Sequence, residues 1–478
     1  MSYDAVIIGS GPNGLAAAAL LCRAGKRVHV VEGQSTLGGG MRSAELTLPG
    51  FVHDVCSAVH PMGALSPFFR ELQLDRYGAK FIHSPISAAH PLDDEPAVML
   101  QRSLEETAAG LGQDGHVYQS LMKRLLKGDS QKLAADMLAP LRFPRRPITM
   151  ARLGFYGMHP AQRLAWGLFE QQRAKALLAG CAAHSVMSFD KWLSGAVGLV
   201  FAWTAHVIDW PVIEGGSQRL ADALVAFIRE KGGTFETDRR IQAMADLPEA
   251  RAYFFDSSPK QLCEIAGDAL PQKYRARLSR YRYGPGVFKI DYALSEPIPW
   301  RDPQCLQAST VHLGGTLAEI ADSEGAAFRG EVHERPFVLL AQQSQFDSTR
   351  APDGRHTGYA YCHVPHGCTV DMTQRLEAQI ERFAPGFRDC VLARHTQLPA
   401  DFEHYNPAYV GGAVTGGVAD LFQFFTRPVA RLNPYSTPNP KIFICSAATP
   451  PGGGVHGMCG YHAAARAFPE ALNGFQKF

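Results

Sequence analysis

A hexapeptide near the start of the chain, Gly9-Ser10-Gly11-Pro12-Asn13-Gly14, constrains the fold more than any other feature. It stands between an apolar, β-branched run at 5–8 and a small-residue run at 15–24 that predicts a helix. Glycines spaced in this way permit a tight turn, let the backbone approach a pyrophosphate and let the helix pack on the strand. The pattern therefore predicts a strand–helix–strand unit of a parallel sheet, with a dinucleotide at the helix N-terminus.

Glu32 follows the second predicted strand of this unit, at 27–31. A carboxylate at this position can accept hydrogen bonds from both hydroxyls of an adenosine ribose, and it would repel a 2′-phosphate. The predicted ligand is therefore FAD or NAD rather than NADP.

Two further glycine-rich runs favour FAD over NAD. The run at 38–43 fits a ligand whose diphosphate extends beyond the first turn, and Arg42 can add a charge-assisted hydrogen bond there. Near the other end of the chain, a predicted strand at 441–446 leads through the run 450–457 into a predicted helix at 459–468. Backbone N–H groups at that helix start would stabilise negative charge on a reduced flavin.

These runs predict one FAD, bound non-covalently by a discontinuous domain. The predicted FAD-binding residues are Gly9, Gly11, Pro12, Asn13, Gly14, Glu32, Gly38, Gly39, Gly40, Met41, Arg42, Ile241, Gly453, Gly454, Val455, His456, Gly457 and Met458.

The pattern between the glycine-rich runs predicts a second domain. Helical spacing dominates near 100–190, and strand composition dominates from about 284 to 412. We predict an α/β fold, in which a discontinuous Rossmann-type FAD-binding domain joins a substrate domain of mixed β-sheet plus helices. The predicted divisions are 1–90, 213–283 and 436–478 for the FAD-binding domain, 91–212 for a helical, substrate-facing insert, and 284–435 for the β-rich substrate domain.

Composition narrows the partners. A net charge of +2 over 478 residues gives no electrostatic case for nucleic acid. The ten cysteines form no CxxC pair, and the 18 histidines show no ligand spacing, so we predict neither a disulfide scaffold nor a metal site. No basic segment precedes an apolar one at the start, so the expected location is cytoplasmic. The 150–210 region is apolar enough to touch a bilayer surface, and peripheral membrane contact is a further expectation.

The chain resembles the phytoene desaturase, or phytoene dehydrogenase-like, flavoproteins within the amine-oxidase-type FAD fold. Within that group it is similar to the branch near the mitochondrial pyridine nucleotide-disulfide oxidoreductase domain-containing protein. The segments that carry the resemblance are Gly9–Gly14 with Glu32, Gly38–Ser43, Pro49–Phe51, Glu214–Ser217, Tyr281–Gly286, Tyr361–Pro365 and Pro450–Gly460.

The resemblance implies a dehydrogenase or desaturase that transfers hydride from an apolar, isoprenoid- or carotenoid-like substrate to FAD. The chain has no second complete fingerprint for a nicotinamide cofactor. We therefore expect electrons to leave through a separate acceptor, either oxygen or a quinone. One departure is the segment 445–448, Cys-Ser-Ala-Ala, where many flavoproteins have a Gly-Asp pair.

Four residues are candidates for catalysis. His456 lies in the C-terminal glycine-rich run, His60 in a loop after the dinucleotide segment, and His363 and Tyr361 in a predicted strand. Each could act as an acid or base beside the flavin. The alternative for the three histidines is local hydrogen bonding that fastens loops, and for Tyr361 it is core packing.

Two other functions fit the same fold. One is an oxidase of an amine or other small molecule, which would need a compact aromatic pocket. The other is a non-catalytic prenyl or lipid carrier, which the intact glycine-rich runs disfavour.

Overall fold

The computed structural model describes residues 2–473. The strands are β1 (Tyr3–Ile8), β2 (Val28–Val31), β3 (Ser43–Glu45), β4 (Val52–Asp54), β5 (Phe81–Ile82), β6 (Ile86–His90), β7 (Val98–Gln101), β8 (Val212–Ile213), β9 (Thr234–Glu236), β10 (Ala250–Phe255), β11 (Gly286–Leu294), β12 (Ala308–Leu313), β13 (Val338–Ala341), β14 (His356–Val364), β15 (Val391–Gln397) and β16 (Ile442–Ile444).

The helices are α1 (Pro12–Arg23), α2 (Pro61–Leu65), α3 (Pro67–Leu72), α4 (Leu104–Ala109), α5 (Gly115–Leu126), α6 (Ser130–Met137), α7 (Pro147–Gly157), α8 (Ala161–Leu168), α9 (Gln172–Ala183), α10 (Ser194–Val207), α11 (Gln218–Glu230), α12 (Pro259–Ala266), α13 (Gln272–Leu278), α14 (Leu317–Arg329), α15 (Thr373–Phe383), α16 (Pro399–Tyr405), α17 (Leu421–Thr426) and α18 (Met458–Ala467).

A five-stranded parallel sheet carries the glycine-rich turns. Its strand order is β16-β10-β1-β2-β9. Because the strands are parallel, their carboxyl ends meet at one edge, which brings Gly9, Glu32, Asp256 and Cys445 together. The last strand of this sheet, β16, therefore lies more than 400 residues after β1 in the chain, as the discontinuous-domain prediction requires.

A second sheet has seven strands, in the order β15-β11-β14-β13-β12-β6-β7. Its neighbours pair antiparallel, except for the parallel pair β12 and β6. The predicted α/β fold class, with a Rossmann-type domain and a second sheet domain, is thus confirmed. The domain boundaries stay a prediction, and the one at residue 90 falls between the paired strands β6 and β7.

Helices α4–α10 follow one another in the chain between β7 and β8, and they form a predominantly helical region. Helical spacing in the sequence extends through 159–178, and two helices, α8 and α9, occupy this segment. The Asp114 carboxylate accepts hydrogen bonds from the backbone N–H groups of Glu170 and Gln171, at 2.7–3.1 Å, and so fixes the non-helical link between them. Along the described part of the chain, no helix is both long enough and apolar enough to cross a membrane.

Candidate dinucleotide and substrate site

A cavity of about 930 Å³ opens at the carboxyl edge of the parallel sheet. The residues that follow four of its strands contribute to the wall, and so do segments 136–158, 193–201 and 405–427. Parallel-sheet proteins bind ligands at such an edge, outside the carboxyl ends of the strands. The cavity is therefore the candidate site.

The first glycine turn packs so closely against its surroundings that a side chain on its glycines would not fit. Helix α1 begins inside the fingerprint, at Pro12, three residues earlier than the sequence pattern predicts. A Cβ on Gly11 would lie 2.5 Å from Asp256 Oδ2, and one on Gly39 would lie 2.7 Å from the Cα of Gly11. The second glycine-rich run thus packs directly on the first.

Glu32 is held on the cavity wall by a short network. Its Oε2 accepts hydrogen bonds from the Ser10 backbone N–H (3.0 Å) and hydroxyl (2.5 Å), and its Oε1 accepts one from the backbone N–H of Gln34 (3.0 Å). Arg42 Nη2 lies 3.1 Å from Glu32 Oε1. Arg42 therefore balances the Glu32 carboxylate as well as facing the cavity, and Ser10 belongs to the site although the sequence prediction omits it.

Asp256 also lines the cavity and is absent from the residues predicted from the sequence. Its Oδ2 accepts a hydrogen bond from the backbone N–H of Gly14 at 2.8 Å, at the start of α1. Burial raises the pKa of Asp256 to about 7; the Gly14 hydrogen bond opposes this shift and the charge of Glu32 adds to it. A polar residue directly after a predicted strand, at 252–255, is the signal that could have revealed it.

Two further polar side chains on the wall have unsatisfied hydrogen-bonding atoms. Asn13 Oδ1 is buried without a hydrogen-bond partner. Arg427, only 2% exposed, donates from Nη2 to Tyr281 Oη (3.0 Å) and to the Gly417 carbonyl (3.3 Å). Within residues 2–473 Arg427 has no carboxylate partner, and its Nε has no hydrogen bond. A buried cation of this kind calls for an anionic ligand group.

The C-terminal run meets the same cavity after β16. Gly453, Gly454, Val455 and His456 line it. His456 is buried, its Nδ1 accepts the backbone N–H of Met458 at 3.0 Å, and its Nε2 lies 3.2 Å from the Gly452 carbonyl. Burial lowers the pKa of His456 to about 4. Both ring nitrogens are thus engaged within the loop, which favours the loop-fastening alternative over catalysis.

The structure divides the predicted FAD-binding residues into two groups. Those that line the cavity are Gly9, Gly11, Pro12, Asn13, Glu32, Gly39, Gly40, Arg42, Ile241, Gly453, Gly454, Val455 and His456. Those that lie outside its lining are Gly14, Gly38, Met41, Gly457 and Met458. Members of the second group support the loops: the Gly38 N–H donates to Ser10 Oγ at 3.0 Å, and Met41 and Met458 are buried in the core beside α1.

A smaller chamber of about 170 Å³ adjoins the main cavity. Residues that line both spaces include Val59, His184, Phe201 and Tyr361. The remaining wall includes Trp210, Leu339, Ala341 and Tyr359, and no Asp, Glu, Lys or Arg lines the chamber. Burial lowers the pKa of His184 to about 3, so this ring is neutral. The chamber is therefore an uncharged, aromatic-lined space open to the main cavity.

The other catalytic candidates lie around this chamber. His60 lines it, and its Nε2 lies 2.7 Å from Ser217 Oγ; burial lowers the pKa of His60 to about 4. Tyr361 lines both spaces, and burial raises its pKa. His363 lines neither: it is buried behind Tyr361, with ring centroids 5.6 Å apart, and its Nδ1 lies 2.8 Å from Glu324 Oε2. His60 and Tyr361 can touch a ligand, whereas His363 can act only through a neighbour.

No group of three or more His, Cys, Asp or Glu residues in the described chain is arranged to hold a metal ion. The ten cysteines are free.

Comparison with known proteins agrees with this geometry. Residues 7–72 match the model of the NAD(P)-binding Rossmann-like domain family. One subunit of limonene dehydrogenase from Castellaniella defragrans is 32% identical over 530 residues, covering 96% of this chain and 93% of that protein. Pyridine nucleotide-disulfide oxidoreductase domain-containing protein 2 of Mus musculus is 26% identical, covering 98% and 94%. The solved structure of cyclohexylamine oxidase from Brevibacterium oxydans matches with a TM-score of 0.60 at 15% identity, covering 99% of each chain.

The chain has the fold of a flavin-type oxidoreductase, which cyclohexylamine oxidase shares, and its sequence is similar to that of a pyridine nucleotide-disulfide oxidoreductase domain-containing protein. The similarity extends over nearly the whole of both chains, at 32% identity for one relative. The chain belongs to the same family as that limonene dehydrogenase chain. The predicted similarity to pyridine nucleotide-disulfide oxidoreductase domain-containing proteins is confirmed, while the phytoene desaturase assignment stays a prediction.

Proposed function

We propose that the protein is an FAD-dependent dehydrogenase of a small, neutral, apolar substrate that occupies the inner chamber. The observation that carries the proposal is the contrast in the lining. The main cavity is bordered by the glycine-rich runs with Glu32, Arg42 and Arg427, and it opens into a chamber without a charged side chain. Such an arrangement suits a charged, elongated cofactor beside an uncharged substrate.

The residues of the main cavity fit FAD. Gly11 and Gly39 both line the cavity with bare backbone, and neither could carry a Cβ because Asp256 and Gly11 already occupy the space that it would need. The unpartnered Asn13 Oδ1 and the buried Arg427 guanidinium offer an acceptor and a cation to it. FAD, when bound, would supply a two-electron acceptor for the hydride that leaves the substrate.

The chamber indicates the class of substrate. An apolar cavity of about 150 Å³ holds a benzene-sized molecule, so a chamber of about 170 Å³ suits a compact ring compound. The limonene dehydrogenase relative carries the name of such a hydrocarbon. We therefore place a small cyclic isoprenoid ahead of a carotenoid-length chain, which would have to extend into the main cavity.

The chamber's own residues would exclude water and hold the substrate. Phe201 stacks on His184, with ring centroids 4.2 Å apart, and Trp210 packs edge-on against both rings. The polar groups on the chamber wall include His60, a neutral His184 and the Tyr361 hydroxyl, and none of them belongs to an acidic or strongly basic residue. A hydrocarbon needs no charged partner, whereas an ammonium substrate would leave its charge without a carboxylate.

The test is anaerobic reduction of the purified protein's flavin. We expect FAD at one per chain, and we expect limonene to bleach the oxidised flavin while cyclohexylamine and putrescine do not. Cyclohexylamine is the matched control, because it offers a similar ring with a positive charge at neutral pH. Bleaching by the amines alone would establish the oxidase alternative, and a protein without flavin would favour the lipid-carrier alternative.

The electron acceptor is proposed on separate grounds. With one dinucleotide fingerprint, the reduced flavin should be reoxidised by oxygen or by a quinone rather than by a built-in nicotinamide. Reoxidation rates measured with each acceptor would distinguish them. Peripheral membrane contact and a cytoplasmic location also stay proposals.

A further inference from the structure

An exposed apolar segment joins α6 to α7 and continues along α7. Leu141 and Phe143 are each 86% exposed, Ile148 is 68% exposed and Phe155 is 67% exposed. These four side chains lie within fifteen consecutive residues, and we call them the 141–155 face. Exposed apolar side chains grouped in this way mark a docking surface.

The 141–155 face is surrounded by positive charge. Residues 123–152 contain eight Lys or Arg and only two Asp, whereas the whole chain has a net charge of +2. Both aspartates are occupied: Asp129 caps α6, and Asp136 accepts the backbone N–H groups of Arg145 and Arg146 at 2.9 and 2.8 Å. The basic side chains therefore set the charge of this surface.

Packing brings the basic residues from two helices to the same place. Arg146 Nη2 donates to the Lys127 carbonyl at 2.6 Å, which ties the end of α5 to the start of α7. Lys127 and Arg152 are both exposed. The face therefore combines protruding apolar side chains with a basic border.

The face lies at the mouth of the main cavity. Leu141 and Met158 are exposed and also line that cavity, as do Val200 and Phe201 of α10, and Phe201 borders the inner chamber as well. The half-exposed Phe424 and Phe425 line the same cavity. An apolar molecule that enters at the face therefore has a continuous path to the chamber.

We propose that the 141–155 face docks on an anionic lipid bilayer, so that an apolar substrate passes from the lipid into the cavity. An anionic bilayer complements this face in two ways. Its acidic headgroups can pair with the basic border, and its apolar layer can bury the protruding side chains. The purpose of the docking rests on the proposed function, but the docking itself does not require substrate or turnover.

The experiment is flotation of the purified, flavin-loaded protein with vesicles. We expect recovery with phosphatidylcholine vesicles that contain phosphatidylglycerol, and none with phosphatidylcholine alone. The double variant Lys127→Glu/Arg152→Glu should lower the partition coefficient about 10-fold or more, because each basic residue contributes on the order of 1 kcal/mol at such a surface. Phe143→Ser/Phe155→Ser should lower it as well, with unchanged flavin content.

The matched control is Arg355→Glu/Lys441→Glu, which makes the same change in charge at exposed residues on other elements. Equal loss in this control, or no recovery of the wild type with anionic vesicles, would overturn the proposal. A stable dimer that Phe143→Ser/Phe155→Ser dissociates, together with absent flotation, would assign the face to a second copy instead. If vesicles bind but limonene fails to reduce the flavin, the docking surface stands and the substrate assignment fails.

Discussion

The dinucleotide end of the cavity and the inner chamber share one opening but are built from opposite kinds of side chain. The first has Glu32, Arg42, Asp256 and Arg427 on its wall, and the second has no Asp, Glu, Lys or Arg. The two ends also differ in their backbone, since close-packed glycines form the first and aromatic side chains line the second. Charge recognition and apolar recognition are thus separated along one cavity, which lets a single site hold a charged cofactor beside an uncharged substrate.

The largest effect should come from filling the glycine turn. In Gly11→Val the side chain would overlap the Asp256 carboxylate and the place of the pyrophosphate. Overpacking of this kind costs about 1–3 kcal/mol, so FAD affinity should fall by up to about 100-fold. The loss of FAD affinity is measured by the flavin content after purification and by an FAD titration. Gly167→Val is the control, because a Cβ there would meet nothing within 4 Å; full flavin occupancy in Gly11→Val would refute this placement of the cofactor.

A carboxylate introduced into the chamber should weaken the binding of an uncharged substrate, because the chamber wall has no charged side chain of its own. Val59→Asp would place a charge where none is present. Both Val59→Asp and Val59→Asn place an unpaired polar group in the chamber, but only the carboxylate also brings a charge. That charge adds a penalty of about 2 kcal/mol, so limonene should reduce the flavin of Val59→Asp with about 30-fold weaker apparent affinity than that of Val59→Asn. The Asn variant has the same shape and no charge. Equal behaviour of the two variants would mean that the substrate does not contact this wall.

Arg427 should matter at the cofactor end alone. In Arg427→Gln the buried cation is lost, and FAD affinity should fall about 20-fold, because a charge-assisted hydrogen bond contributes about 1.5–3 kcal/mol. Riboflavin, which lacks the diphosphate, should bind both proteins alike if Arg427 faces that group. Arg427→Lys should restore part of the affinity. Unchanged FAD affinity in the Gln variant would contradict the role.

His456 should behave as a loop residue. His456→Ala removes the acceptor of the Met458 N–H, so FAD affinity should fall about 10-fold. The rate of flavin reduction, normalised to bound flavin in rapid-mixing experiments, should stay within about 3-fold of wild type. The opposite pattern, full flavin content with reduction slowed about 100-fold, would restore the catalytic interpretation.

The smallest effect concerns pH. The pKa of Asp256 rises from 3.8 to about 7 on folding, so the folded protein keeps a proton that the unfolded chain loses. The contribution to stability is therefore fully present below about pH 3.8 and is lost as the pH rises through about 7. Asp256→Asn should flatten this part of the Tm-against-pH profile while keeping the acceptor for Gly14. The wild type should also bind FAD about 3-fold more weakly at pH 8 than at pH 6; identical profiles would argue against the shift.

The cofactor end could be predicted from sequence because it is local. Gly9, Gly11 and Glu32 lie within one strand–helix–strand unit, and their spacing alone specifies the turn. The same reasoning could have identified Asp256, because this residue directly follows the apolar run 252–255, which belongs to β10. Arg427 and Tyr409 come from an irregular stretch without periodicity, where nothing in the sequence indicates which side chains turn inward.

The chamber could not be predicted, because its wall comes from segments near 56–63, 184–210, 310, 339–341 and 359–361. His184 directly follows an apolar helix, and there its residue type does not reveal that it borders a cavity. The position of His363 behind Tyr361 could not be predicted either. Both residues belong to one predicted strand, and the sequence does not indicate which of the two lies next to the cavity.

The late return of β16 to the parallel sheet has a consequence for biosynthesis. The glycine turn after β1 is synthesised more than 400 residues before β16 and the run that follows it. At about 5–20 residues per second, the first half of the site waits on the order of 20–90 s for the second. Under the proposed function, FAD would therefore meet a complete site only after β16 and the run that follows it have been synthesised.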